Sequence, residues 1–367
     1  MSPTVRYELL STCPHTRARR GRLHTPHGTV ETPCFMPVGT YGTVKTLGSE
    51  DLEALGYELV LSNTYHLSQR PGSGLIERLG GLHNFMSWNG AVLTDSGGFQ
   101  VMSLAKNRKV TDEGVTFRSH LDGTETFLTP EKSIEIQAQL GVDVSMALDE
   151  CPQFPCTKDE AAAAMARTHL WAPRNLSARR EGQSVFGIVQ GGVHEDLRRE
   201  SADALTALPF DGYAIGGVSV GEPTDLQYPV VAFTAPLLPQ DKPRYLMGVG
   251  HPADVLHAVS CGIDMFDCVL PTRMARHHSL YTMQGRVNCA AAEWAEHGGP
   301  HDPASVFPAT ERYSAAYMRH LFKTDEPLAA RLATLHNLAF YARLMTEIRE
   351  AIGAGSWPGL AERYSRA

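Results

Sequence analysis

An α/β fold built on an eight-stranded parallel barrel, (β/α)8, is what this 367-residue sequence predicts. Three observations carry that expectation. Eight short apolar, β-branched runs recur along the chain, helical segments lie between most of them, and almost every run ends in a polar or glycine cluster on its C-terminal side. Strand and helix in alternation imply right-handed crossovers and a parallel sheet. A doubly wound open sheet shares that alternation and is the competing arrangement. The C-terminal clusters favour the barrel, because closure gathers them on one face, where such folds place their chemistry.

Taken in order, GRLHTPHGTVETP (21–33), centred on Pro26-His27-Gly28, reads as a hairpin ahead of the first barrel strand, CFMPVGT (34–40). ELVLSNTYH (58–66) and AVLTDSG (91–97) supply the second and third strands. VTFRSHLDGTETFL (115–128) then places Asp122-Gly123 between alternating runs, a strong hairpin signal. An insertion after a barrel strand lies on the active-site side, so this hairpin is expected to act as a lid.

PEKSIEIQAQLG (130–141) has helical character and ends at glycine before the fourth strand, VDVSMALDEC (142–151). The helices 159–180 and 195–209 flank the fifth strand, VFGIVQGG (185–192), and GYAIGG (212–217), RYLMGVG (244–250) and MFDCVLPTR (265–273) complete the set. Beyond them Leu335, Leu338, Ala342, Met345 and Ile352 follow a 3.6-residue period and predict a C-terminal helix.

With 43% apolar residues and glycine and proline falling singly between runs, the chain reads as globular, and residues 1–367 as a single elaborated barrel domain. The N-terminus MSPTVRYELLSTCPHT has no basic-then-apolar pattern, and no apolar stretch reaches bilayer length, so a soluble, cytoplasmic protein with no membrane partner is expected. Seven scattered cysteines argue against a disulfide framework. A net charge of −7 does not suggest a nucleic-acid partner, and RARRGR (17–22) and RMARHH (273–278) by themselves read as solvated surface runs.

Three strands end in carboxylates: Asp95, Asp149 and Asp267. Any one could be a helix cap. Converging in one pocket, they can divide labour, one ionised as a nucleophile and another serving as acid and base. In LTDSGGFQ (93–100), Gly97 and Gly98 admit close backbone approach and Phe99 offers a flat face. Asp149, Gln190 and the backbone at Gly217 form a set able to satisfy a purine-like edge. The carboxylates alone would equally allow a barrel glycosidase acting on sugars.

HTPHGTVETPCFMPVGT, LTDSGGFQVMSL, ALDECP, GIVQGG, DGYAIGGVSVGE, YLMGVG, GIDMFDCVLPTR and LHNLAFY, in that order, closely resemble the bacterial tRNA-guanine transglycosylases, or queuine tRNA-ribosyltransferases. The resemblance runs from about residue 5 to the last residues and is weak at roughly 289–312. It implies an elaborated (β/α)8 barrel that replaces the wobble guanine of tRNAs with a G-U-N anticodon (those for Asp, Asn, His and Tyr) by 7-aminomethyl-7-deazaguanine, preQ1. Asp267 matches the nucleophile and Asp95 the general acid/base. Ser96, Phe99, Asp149, Gln190, Gly217 and Met247 match base-binding positions. Gly248, Val249, Gly250, His251, Pro252, Ala253 and Asp254 match one RNA-contact loop, and Thr272, Arg273 and Arg276 the segment that reads the anticodon. Val220 stands where users of the bulkier base queuine tend to carry glycine, which favours preQ1.

The sequence departs from the family in two places. The structural zinc site, C-x-C-x-x-C and a later histidine, retains only His336, with Ser305, Phe307 and Thr310 at the cysteine positions. Zinc is therefore expected to be absent, no other cofactor is expected, and residues of about 281–340 form an altered subdomain held by apolar packing. Cys289, His297 and His301 match no usual zinc spacing. His251 replaces a lysine, which would weaken phosphate attraction. The resemblance also implies a homodimer. A tRNA-binding homologue with impaired catalysis is the alternative reading, motivated by the altered subdomain.

Overall fold

The eight apolar runs close into a ring of parallel strands in the computed structural model, which describes residues 5–104, 108–119, 121–305 and 311–364. Ahead of the ring lies a three-stranded antiparallel sheet of β1 (Arg6–Thr12), β2 (Arg19–Thr25) and β3 (Gly28–Thr32). The expected β2–β3 hairpin is present, with its turn at Thr25 to Gly28, and β1 adds a strand beside it through a register shift between Leu9 and Ser11.

The first barrel strand is split. Pro37 separates β4 (Cys34–Met36) from β5 (Val38–Gly39), since proline has no N–H to give to a ladder. Next come β6 (Leu59–Ser62) and β7 (Ala91–Thr94), followed by an inserted sheet of β8 (Lys109–Val110), β9 (Val115–Arg118) and β10 (Glu125–Leu128). The ring continues with β11 (Val144–Met146), β12 (Ser184–Val189), β13 (Gly212–Ile215), β14 (Arg244–Leu246) and β15 (Met265–Asp267). β15 pairs with β4 and β6 with β5, so the nine segments in parallel order are one closed eight-stranded barrel.

The side chains divide by parity, as a two-period strand requires. Leu59 and Leu61, Ala91 and Leu93, Val144 and Met146, and Phe186 and Ile188 pack inside the barrel, while Val60, Val92 and Val185 pack outward against the helices. Leu23 and Val30 of the N-terminal sheet join the inner cluster and plug the end away from the strands' C-termini. That plug is fixed by buried charge. Arg19 Nε and Nη2 reach Asp264 at 2.8 and 2.5 Å, Tyr7 donates to the same carboxylate at 3.0 Å, and so does the Arg244 backbone N–H at 2.7 Å.

The inserted β9–β10 hairpin lies where Asp122-Gly123 predicts it, with Gly123 in the left-handed region and β8 as an extra strand. Its Phe117 packs on Tyr65, with ring centroids 5.6 Å apart. None of its described residues lines the cavity at the barrel mouth, so the expected lid stands beside that opening. MFDCVLPTR is shorter as a strand than its sequence suggests. The strand ends at Asp267, and Leu270–Arg276 is a helix with proline in its first turn.

The C-terminal part carries the hairpin β16 (Ser279–Thr282) and β17 (Gly285–Asn288) and the helices Ala315–Lys323, Pro327–Ala354 and Trp357–Arg363. Leu335, Leu338, Met345 and Ile352 are buried on the 28-residue helix, as their period predicts, and Ala342 is half-buried. Among the described residues, no helix is long and apolar enough to cross a membrane.

Candidate active site

A cavity of about 610 Å³ opens at the C-terminal end of the barrel strands. Asp95, Asp149 and Asp267 all line it, from the ends of β7, β11 and β15. The other base-binding candidates, Ser96, Phe99, Gln190, Gly217 and Met247, line the same space.

Asp267 sits half-buried at the end of its strand. Tyr245 donates its hydroxyl to Oδ1 at 2.5 Å and the Gly248 backbone N–H donates to the same oxygen at 2.8 Å. Among the described residues both donors fall on Oδ1, which leaves Oδ2 for a substrate. Burial pushes this carboxyl above its usual range, and the two hydrogen bonds oppose that rise.

Asp95 is anchored differently. Asn63 Nδ2 donates to Oδ2 at 2.5 Å and the Thr64 backbone N–H to Oδ1 at 2.9 Å, while the Thr64 hydroxyl donates to the Asp95 carbonyl. Burial first, and the nearby Asp267 charge as well, push Asp95 up to about 7 against the Thr64 bond. A carboxyl poised there exchanges protons in either direction at neutral pH. The cavity's thiols do not compete as nucleophiles: burial pushes Cys151 to about 12 and Cys268 to about 11.

A set of polar groups lies beside these carboxylates in the same cavity. Gln190 Nε2 donates to Asp149 Oδ2 at 2.6 Å, and burial pushes Asp149 to about 6. Gln190 Oε1 is buried beside Gly217 without a hydrogen-bond partner among the described residues. A Cβ at Gly216 would stand 2.6 Å from Gln190 Nε2, so only glycine lets the backbone come this close. Phe99 is 47% exposed and offers its face to a flat ligand.

The RNA-contact candidates divide into exposed and structural members. Arg273 is exposed and lines the cavity, Gly248 lines it too, and His251 is exposed. Val249, Pro252 and Thr272 are buried, and the Thr272 hydroxyl donates to the Val269 carbonyl. The Gly250 carbonyl takes the Tyr341 hydroxyl, Asp254 accepts from Tyr228 at 2.8 Å, and Arg276 Nη1 donates to the Thr272 carbonyl at 2.8 Å. Ala253 is half-buried.

Sequence reasoning missed three residues of this region. Tyr245 in RYLMGVG, Asn63 in ELVLSNTYH and Arg198 in the helical segment 195–209 are assigned no role by it. The one available signal for Arg198 was its register, since it shares the buried face of its helix with Leu197, Ser201, Ala202 and Leu205.

The zinc site implied by the resemblance lacks a fitting donor set. His336 is buried and donates Nε2–H to the Tyr281 carbonyl at 2.8 Å. Ser305 supplies no thiolate, and Phe307 and Thr310 lie outside the described residues. Cys289 donates its thiol to the His278 carbonyl at 3.2 Å, and burial pushes it to about 12, away from the thiolate zinc binds. The subdomain instead has an apolar core in which Leu280, Met318, Leu321, Phe322 and Leu332 are buried. Among the described residues, the group with metal-like spacing is His27, His83 and Asp143, at the plugged end of the barrel and without cysteine. Its two imidazoles stack 3.5 Å apart at 16°, so one ion cannot lie in both ring planes. They donate to the two oxygens of Asp143 at 2.8 and 3.0 Å and act as a clamp on that carboxylate.

Comparison with known proteins points the same way as the site. A profile of the family described as Queuine tRNA-ribosyltransferase matches residues 13–367. A protein of that name from Pelotomaculum thermopropionicum is 56% identical over 341 residues, covering 93% of this chain and 92% of the relative. Those from Symbiobacterium thermophilum and Lysinibacillus sphaericus are 54% and 53% identical, covering 99% and 95% of this chain and 94% and 92% of the relatives.

Proposed function

This chain belongs to the queuine tRNA-ribosyltransferase family, and from that premise we propose that it is a pentosyltransferase exchanging the wobble guanine of tRNAs with G-U-N anticodons for preQ1. The observation that supports this reading best is the Asp267 carboxylate, fixed through Oδ1 with Oδ2 open, in one cavity with Asp95 and a purine-recognising edge.

In the proposed sequence, Asp267 Oδ2 attacks ribose C1′ as the C1′–N9 bond breaks, and the departing guanine takes a proton from Asp95. A covalent ribosyl ester then holds the tRNA. The incoming base gives its N9 proton to Asp95, forms the new C1′–N9 bond and releases Asp267. Two displacements retain the anomeric configuration and never free the tRNA between bases. Tyr245 and Gly248 stabilise the carboxylate when it leaves, as they do before it attacks. Asp149, Gln190 and Gly217 read the base edge, Ser96 lies beside them, and Phe99 and Met247 cover its faces. Arg273 and His251 are the exposed groups placed to meet RNA, at the mouth and on the adjoining loop. No step passes through a metal.

The cytoplasmic setting, the homodimer, and the reading of residues 1–367 as one barrel domain with an altered subdomain at about 281–340 belong to the same proposal. The deciding experiment incubates purified protein with a G-U-N tRNA transcript and labelled guanine. Incorporation, together with a denaturant-stable tRNA adduct that disappears in Asp267→Asn, supports the reading. Binding of tRNA without incorporation or adduct would establish the impaired homologue instead.

A further inference from the structure

Arg198 is wholly buried in the helix Glu195–Thr206 and ends behind the recognition edge. Its Nε donates to the Gly192 carbonyl at 2.8 Å, Nη1 to Val189 at 2.9 Å and Gly216 at 2.7 Å, and Nη2 to Gly217 at 3.3 Å. Val189 and Gly192 bracket Gln190 in the turn after β12, and Gly216 and Gly217 form the turn after β13. One guanidinium therefore joins two neighbouring loops.

We propose that Arg198 is a positioning residue for base recognition, clamping the loops that carry Gln190 and Gly217 into one rigid edge, so that affinity for the purine-like base depends on it and affinity for tRNA does not. The proposal rests on the base-exchange reading above. In a trans peptide the N–H points opposite to the preceding C=O. Holding the Gly216 and Gly217 carbonyls toward the helix thus aims the N–H groups of Gly217 and Val218 away from it, and both residues line the cavity. Gly217 has φ +63°, so without an anchor this glycine turn has many alternatives.

A cation is an unusual device for this purpose. Burying a charge is costly without strong partners, and no hydrogen-bonded carboxylate balances Arg198 among the described residues. Burial pushes its guanidinium down to about 10, so it stays charged at neutral pH. The planar fork explains the choice. It presents donors in fixed directions that span two loops, whereas a lysine ammonium is a point donor. tRNA affinity rests chiefly on phosphate contacts elsewhere, which the clamp does not touch.

The test compares Arg198→Lys with the wild-type chain by calorimetric binding of guanine and by steady-state exchange. Expected are a Kd and KM for guanine raised about tenfold or more, with the KM for tRNA within about twofold. Leu205→Ala, which loosens the same helix from its core without touching either loop, serves as the control and is expected to lower Tm and leave guanine affinity unchanged. Should Arg198→Lys fail to fold, Arg198→Gln takes its place with the same expectation. Unchanged guanine affinity, a parallel rise in both KM values, or an equal loss in Leu205→Ala would each overturn the proposal. A wild-type protein that binds guanine without exchanging it refutes the functional reading, and the Kd comparison still decides the role of Arg198.

Discussion

The Tyr245 hydroxyl donates to Asp267 Oδ1 at 2.5 Å, from a strand directly paired with the one that ends in the carboxylate. The phenol's own pKa is held well above its usual value, by burial first and then by the Asp267 charge, so it remains a donor throughout the working pH range. Tyr245→Phe removes that donor. A hydrogen bond to a charged group contributes about 1.5–3 kcal/mol, so breakdown of the adduct by incoming base, in which Asp267 regains the charge this bond stabilises, should slow about 10- to 150-fold. Because the bond favours the ionised carboxylate, its loss should also move the acidic limb of the rate profile to higher pH. Wild-type rates of adduct breakdown in Tyr245→Phe would refute the assignment.

Asp95 makes a prediction about pH. Raised to about 7, it is protonated on the acid side of neutrality and able to protonate departing guanine there. Guanine release in a single turnover should therefore fall as pH rises through about 7, roughly tenfold per pH unit beyond it. Asp95→Asn should lack both the limb and most of the rate. A flat profile between pH 6 and 9 would show that another group manages the proton.

Stability follows the same titration with a definite sign. A carboxyl raised on folding contributes stability that is complete below its unfolded pKa and lost as pH rises through about 7. Asp149, raised to about 6, acts in the same direction. Chemical denaturation at pH 6 and pH 8 should show wild type losing more stability across that interval than the Asp95→Asn variant does.

Val220 lines the cavity and its N–H is held by Glu222 Oε2 at 2.9 Å. Val220→Gly removes a branched side chain from the wall without removing that hydrogen bond. Queuine should then compete with labelled guanine several-fold better than in wild type, while preQ1 competition changes less. If queuine competes equally well in both proteins, Val220 does not set the choice of base.

The altered subdomain predicts a metal content far below one zinc per chain in purified protein. Incubation with a strong chelator should leave Tm where it was, because a ligand that is not bound contributes nothing to stability. Stoichiometric zinc, or a chelator-induced drop in Tm, would overturn the reading of Ser305 and Cys289.

Much of this architecture was legible because strands buried on both faces must be apolar, and their polar ends stand out against them. Asp95, Asp149 and Asp267 interrupt or end apolar runs, and closure of the ring carries them to one cavity. β1 was not legible, since RYELLST shows little alternation and its pairing depends on a register shift. Tyr245 and Arg198 escaped for a shared reason: their importance lies in partners. A tyrosine facing inward from a strand looks the same in sequence whether it fills space or holds a nucleophile, and four carbonyls leave no mark in a sequence at all. Thr272, grouped with the anticodon-reading segment by its place in the sequence, is buried in the helix Leu270–Arg276, a setting that only the fold displays.

β11 is only three residues long, yet an aspartate stands on either side of it with opposite titration. Burial raises Asp149 at the mouth, whereas for Asp143, at the plugged end, burial is outweighed by the donors His83, His27 and the Val92 backbone, and its pKa falls. One strand thus carries a foundation stone at one end and a group facing the open cavity at the other. Selection, or an engineer, can recut the mouth of this barrel for a new nucleobase without disturbing what keeps the ring closed beneath it.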